Sequence, residues 1–126
     1  MLLIRNFVAL SSVEGLGCFA DEDIPKGTTI WRLDDDFDVI MPLEAYEDLP
    51  YVAKEFMDRY AYQLKDLPGK IILESDNTKF TNHSRTPNIG KGGKPLESVA
   101  LRDIKKGEEL TCDYRKYENE PPETWL

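Results

Sequence analysis

At 126 residues, with 24 acidic and 16 basic side chains and a net charge of −8, the chain fits one compact domain whose charge disfavours nucleic-acid backbone and favours basic partners. No apolar run approaches the ~20 residues of a membrane span, so neither direct nucleic-acid binding nor membrane insertion is expected. Cys18 and Cys112 form no C-x-x-C pair; neither a zinc site nor a disulfide framework is signalled, which favours a reducing, intracellular compartment, the cytoplasm if the source is bacterial.

Residues 2–10, rich in Leu, Ile, Phe and Val, read as an edge strand; Arg5 interrupts the apolar run instead of preceding it, so it is not an export signal. Ser11 to Gly15 turns the chain, and Gly15 and Gly17 flank one residue. Glycine allows the main chain to approach a ligand closely, but no third glycine or helix follows to make a dinucleotide fingerprint. Asp21 to Gly27 is a polar turn before a strand at 28–33, and the same phrase returns at Ala100 to Leu110. Two such hairpins far apart in the chain suggest small sheets folded over each other. Asp34, Asp36 and Asp38 alternate, but Val39 and Ala45 stand where a calcium loop needs glycine and glutamate. The loop is a solvated acidic turn or an acidic lip for a basic peptide.

From Asp48 to Leu64 the period changes. Val52, Phe56, Tyr60 and Leu64 recur every fourth residue, which predicts a helix with Asp48 as N-cap, Pro50 in its first turn and Pro68-Gly69 beyond its end. Lys70 to Glu74 reads as a short buried strand, Gly90 to Pro95 as a flexible basic loop, and the tail from Arg115 to Leu126 as irregular, anchored by Tyr117 and Trp125.

Between these lies Phe80-Thr81-Asn82-His83-Ser84-Arg85-Thr86-Pro87-Asn88, which holds the single histidine. It crowds hydrogen-bonding side chains into a segment that Pro87 bars from helix or central strand. Taken alone it is equally an Asn/Pro-rich turn with a bonded histidine. Together with Gly15 to Gly17 and with Gly107-Glu108-Glu109-Leu110-Thr111-Cys112-Asp113-Tyr114, it resembles the SET domain of protein-lysine methyltransferases, in the compact form without zinc-binding flanks.

The resemblance implies a mostly β fold of small twisted sheets with one main helix. The last two motifs should form a C-terminal pseudo-knot, an exception to the rule against threaded chains. Residues 1–114 would be the domain and 115–126 a short tail able to close a lysine channel. The cofactor implied is S-adenosyl-L-methionine and the reaction is methyl transfer to a lysine in a basic protein or peptide.

By the same resemblance the main chain at Leu16 and Gly17 takes the methionine part, Asn82 bonds the amino end, and the His83 backbone meets the adenine. The His83 ring is expected to lock crossing segments, with proton transfer as the alternative. Tyr114 is the expected catalytic residue: it orients a neutral amine toward the methyl group, its rival role being a core tyrosine at a strand end. Tyr62, with Tyr60 as alternative, is the candidate second aromatic of the channel, and plain helical packing is the competing account. Cys112 stands where the family often has phenylalanine or tyrosine, which suggests a roomier channel that Phe80, Tyr117 or Trp125 would line. A SET fold that binds basic peptides without turnover is one rival reading. A Ser84–His83 hydrolase is the other, disfavoured because adjacent residues rarely face each other.

Overall fold

The apolar start of the chain folds back on the glycine pair. In the computed structural model, which describes residues 1–118, β1 (Asn6–Leu10) runs antiparallel to β2 (Leu16–Ala20). Three further strands follow from β-branched and apolar runs: β3 (Thr29–Arg32), β4 (Val39–Pro42) and β5 (Lys70–Leu73). Strand β4 pairs with β5 as a second two-stranded sheet. The short β6 (Asn82–His83), β7 (Ile89–Lys91), β8 (Glu97–Ala100) and β9 (Thr111–Cys112) join β3 in a five-stranded sheet of order β3-β8-β7-β9-β6. Strand β9 lies parallel to both β6 and β7. The late motif is thus inserted between the two ends of the Asn82–Asn88 segment, which is the expected pseudo-knot, and the fold is mostly β as read from the sequence. Gly90 belongs to a strand, not to a flexible loop, and a Cβ there would meet Leu101 Cδ2 at 2.6 Å.

The two repeated phrases hold these sheets together by pairing with each other. Ile24 N–H donates to the Ile104 carbonyl at 2.7 Å and Ile104 N–H to the Ile24 carbonyl at 2.8 Å. Gly27 N–H reaches the Ala100 carbonyl and Gly107 N–H the Ala20 carbonyl, both at 2.8 Å. Even the side-chain caps are reciprocal: Lys26 N–H donates to Asp103 Oδ1 at 2.8 Å and Lys106 N–H to Asp23 Oδ1 at 2.9 Å. The result is a clamp with local two-fold symmetry. Gly27 and Gly107 both take positive φ, 86° and 94°, which explains why each phrase ends in Lys-Gly. Ile24, Ile30, Ile104 and Leu110 are fully buried at its centre, each contributing about 1.5–3 kcal/mol of burial.

The predicted long helix is two short ones, α1 (Leu43–Glu47) and α2 (Tyr51–Tyr60). Asp48 does not cap α2; it ends α1, and Pro50 precedes the first residue of α2 without any side-chain cap. Pro50 has no N–H to give and pushes Leu49 out of the helical region, so the helix restarts after it. The face expected in the core is mostly outside: Val52 is 75% and Phe56 47% exposed, and Met57 is the buried residue of α2. After Tyr60 the chain is extended, with Ala61 at ψ 163°. A 3-10 turn at Asn77–Phe80, capped by Asp76, leads into β6; α3 (Tyr114–Tyr117) follows β9, and the Asp113 side chain accepts from Arg115 N–H at its start.

The acidic turn is internally committed. Asp34 Oδ1 accepts the N–H groups of Asp36 and Phe37, and buried Asp38 accepts from Asp34 N–H and from the Met1 ammonium at 3.1 Å. Asp34 and Asp38 therefore serve the fold and do not form a lip. Both cysteines are free, and among the described residues no helix is long and apolar enough to cross a membrane.

Candidate active site

Strand β6 has a different environment on each side of Asn82, and the candidate residues divide between them. On one side, Asn82 Nδ2 donates to the carbonyls of Glu14 (3.2 Å) and Leu16 (3.1 Å) and to Glu109 Oε2 (2.9 Å). The amide nitrogen is thereby fixed, and its oxygen is left as an acceptor. Gly17 belongs to the same cradle: a Cβ there would stand 2.5 Å from Glu109 Oε2. Leu16, Gly17 and Asn82, distant in sequence, are thus brought together by the β1–β2 turn and β6.

This cradle is rich in carbonyl and carboxylate oxygens, which suits a cationic amino-acid head. Beside it, His83 Nδ1 accepts the Tyr114 N–H at 3.1 Å, so its proton belongs on Nε2, a buried atom with no partner among the described residues. The ring ties β6 to the start of α3. Ser84 Oγ lies 3.3 Å from Thr86 Oγ1 and accepts the Thr86 N–H at 3.0 Å, so the hydroxyl serves its own turn instead of pairing with the histidine.

On the other side a cavity of about 450 Å³ opens between α2 and the five-stranded sheet, and Tyr62, Cys112, Tyr114 and Tyr117 all line it. The Tyr114 hydroxyl donates to the Thr81 carbonyl. Burial first, and then the neighbouring Cys112 and Glu118, push its phenol well up, so it stays protonated. Asp113 anchors the turn beneath it; two-pronged bonds from the Arg115 guanidinium, at 2.9 and 2.6 Å, hold its carboxyl down at about 2.

Tyr62 is presented by an extended segment, not by a helix: its N–H and carbonyl pair with Ile72 at 3.1 and 2.8 Å. Its hydroxyl donates to Glu74, and burial raises the phenol well above its ordinary value. Tyr60 also lines the cavity. Burial pushes the Cys112 thiol up as well. The Tyr117 hydroxyl is 3.1 Å from Ser98 Oγ, and burial raises its phenol to about 12. Phe80 packs edge-on against Tyr60, ring centroids 5.9 Å apart, and is not among the lining residues. Trp125 lies outside the described residues.

Four contributors escaped the sequence reading. Glu109 was visible only as part of a motif, and its contact with Asn82 depends on the pseudo-knot. Glu74, fully buried and raised to about 7 by that burial, holds the Tyr62 hydroxyl. Trp31 lines the cavity with its indole nitrogen buried and unpartnered among the described residues. Glu118, raised to about 7 by burial, joins Glu47 and Asp58 as carboxylates of the lining, where Arg59 and Lys79 are the basic residues. An isolated buried carboxylate carries no periodic signal, so only its surroundings reveal it.

The SET domain family model matches residues 15–115. A protein of Chaetomium globosum named histone-lysine N-methyltransferase, H3 lysine-4 specific, is 29% identical over 122 residues, covering 89% of this chain and 11% of its own length. Among solved structures, Chaetomium thermophilum Polycomb Repressive Complex 2 in an autoinhibited conformation bound to S-adenosylmethionine is similar with a TM-score of 0.67 at 21% identity. That match covers 93% of this chain and 16% of the other. A Plasmodium falciparum protein solved as a candidate histone methyltransferase has a TM-score of 0.57 at 24% identity, covering 90% of this chain and 95% of its own.

Proposed function

This chain belongs to the SET-domain family, and we propose that it transfers a methyl group from S-adenosyl-L-methionine to the side-chain nitrogen of a lysine in a basic protein tail. The observation that carries the reading is the position of β6 between two sites. The Thr81 carbonyl holds the Tyr114 hydroxyl in the cavity, while the next residue, Asn82, faces the cradle.

The donor supplies an electrophilic methyl group on a positively charged sulfur. Asn82, with the carbonyls around it, binds the cationic head, and the main chain at Leu16 and Gly17 and the His83 backbone take the rest. The lysine enters the cavity lined by Tyr62, Cys112, Tyr114 and Tyr117. An ordinary lysine, with pKa about 10.4, arrives charged, and burial in this wall favours its neutral form. Tyr114 is too weakly acidic to act as a phenolate base. It contributes orientation, its oxygen accepting from the amine so that the nitrogen lone pair points at the methyl group.

Net charge −8 and the carboxylates Glu47, Asp58 and Glu118 favour a basic substrate. A histone-type tail is the substrate class the Chaetomium globosum relative suggests. In this reading residues 1–114 are the catalytic domain, and the position of Tyr117 in the cavity lining supports a role for the residues just after them in closing it over the lysine.

Labelled methyl from S-adenosylmethionine should enter lysine of histones or other basic proteins, faster as pH rises and more lysine is neutral. Cofactor binding by calorimetry with no transfer to any member of a basic-protein panel would favour the non-catalytic peptide-binding alternative.

A further inference from the structure

One charged side chain of the cradle has no role in that account. Glu109 reaches from the segment just before β9 back to the β1–β2 turn, where its carboxylate accepts Ser11 Oγ–H at 2.7 and 2.8 Å and Asn82 Nδ2–H at 2.9 Å. Its backbone is anchored too, bridging to Phe19 and accepting Asn88 Nδ2–H at 2.8 Å. The room for the carboxylate exists because residue 17 is glycine: an added Cβ would stand 2.5 Å from Oε2 and 2.9 Å from Cδ. Among the described residues, none of the ion pairs involves Glu109. A negative charge held in place without a cation, beside an amide whose nitrogen it binds, prepares a seat for a positive group.

We propose that Glu109 is a positioning residue for the methyl donor. It holds the Asn82 nitrogen inward so that Oδ1 faces the donor's ammonium, and its charge favours that cation over neutral ligands. The inference rests on the cradle being the S-adenosylmethionine site. It adds a source of selectivity for the amino-acid end that a single asparagine lacks.

Glu109→Gln keeps the length and one acceptor but removes the charge. Calorimetry with three probes separates the roles: S-adenosylmethionine and S-adenosylhomocysteine carry the ammonium, and 5′-deoxy-5′-methylthioadenosine lacks the whole amino-acid end. The variant should bind the first two about tenfold more weakly, as expected for loss of a charge-assisted contact, while methylthioadenosine affinity stays within about twofold. Ser11→Ala, which releases one side of the carboxylate without changing charge, should give a smaller loss with the same selectivity; that variant decides the matter if Glu109→Gln does not fold. Equal affinity of variant and wild type for S-adenosylmethionine overturns the role of Glu109 alone. Parallel weakening of all three probes with a lowered melting temperature also overturns it, in favour of a purely structural role. Wild-type protein that binds none of the probes overturns the cofactor reading, and this inference with it.

Discussion

Replacing Tyr114 with phenylalanine removes one oxygen and almost no volume, which makes it a direct test of what that oxygen does. The hydroxyl donates to the Thr81 carbonyl, and Thr81 is only 8% exposed. Losing the bond costs about 1 kcal/mol, and leaving the buried carbonyl unpaired brings the loss to roughly 1–2 kcal/mol. For 126 residues the unfolding entropy makes each kcal/mol worth about 4 °C, so the melting temperature should fall by roughly 4–8 °C.

If the same oxygen orients the lysine nitrogen, kcat should drop at least about tenfold, equivalent to ~1.4 kcal/mol of transition-state stabilisation. Burial keeps the phenol protonated, so the pH–rate profile of the variant should keep the wild-type shape at a lower level. The assay is single-turnover methyl transfer well below both melting temperatures, with cofactor affinity measured in parallel. Unchanged kcat would show that the hydroxyl serves packing alone. A rate loss matched by an equal loss of cofactor affinity would place its effect on binding and refute the positioning argument.

Two further outcomes follow from the cavity and the residues that support its wall. Burial raises the Glu74 carboxyl from its ordinary 4.5 to about 7; the folded state therefore prefers it protonated, and the stability it contributes is fully present below pH 4.5 and lost as pH rises through 7. That amounts to about 3 kcal/mol at most. Glu74→Gln should flatten the urea-unfolding free energy across this window, and an unchanged slope would show that the carboxylate is compensated. Cys112 lines the cavity proposed to take the lysine with a small, weakly bonding side chain, so wild-type protein should yield di- or trimethyl-lysine by mass spectrometry and Cys112→Tyr should shift the product toward monomethyl; arrest of the wild type at one methyl refutes this.

The motifs were legible because their chemistry is local. Asn82 and His83 announce hydrogen bonding, and the repeated Lys-Gly phrases announce turns, whose two glycines do take positive φ. The pairing of those phrases with each other was not legible, since nothing in either names its partner. Periodicity misled at Asp48–Leu64: it identified an apolar stripe, but whether a stripe meets the core depends on what lies opposite, and Val52 and Phe56 face outward. Pro50 stands at a boundary and not inside a helix, because it disfavours the helical region for Leu49. The helical spacing of Tyr62 conceals its pairing with Ile72, which makes it part of a sheet-like edge. Glu109 and Glu74 acquire meaning only through long-range contacts with Asn82 and Tyr62.

The reciprocal clamp has a consequence for how the protein is made. Ile24 has its backbone partner at Ile104, and the β6–β7 gap is filled only by β9. Pairings so distant in sequence close late in folding because the intervening chain must first be ordered. During synthesis the first phrase therefore waits, with apolar Ile24 and Ile30 uncovered, until the second has left the ribosome. That interval is when such surfaces are open to chaperones and to aggregation. Glu109 and Tyr114 arrive with the same late segment, so an interrupted chain lacks its closing hairpin and both sites at once. Emergence of the second phrase, closure of the fold and assembly of the candidate site are one event.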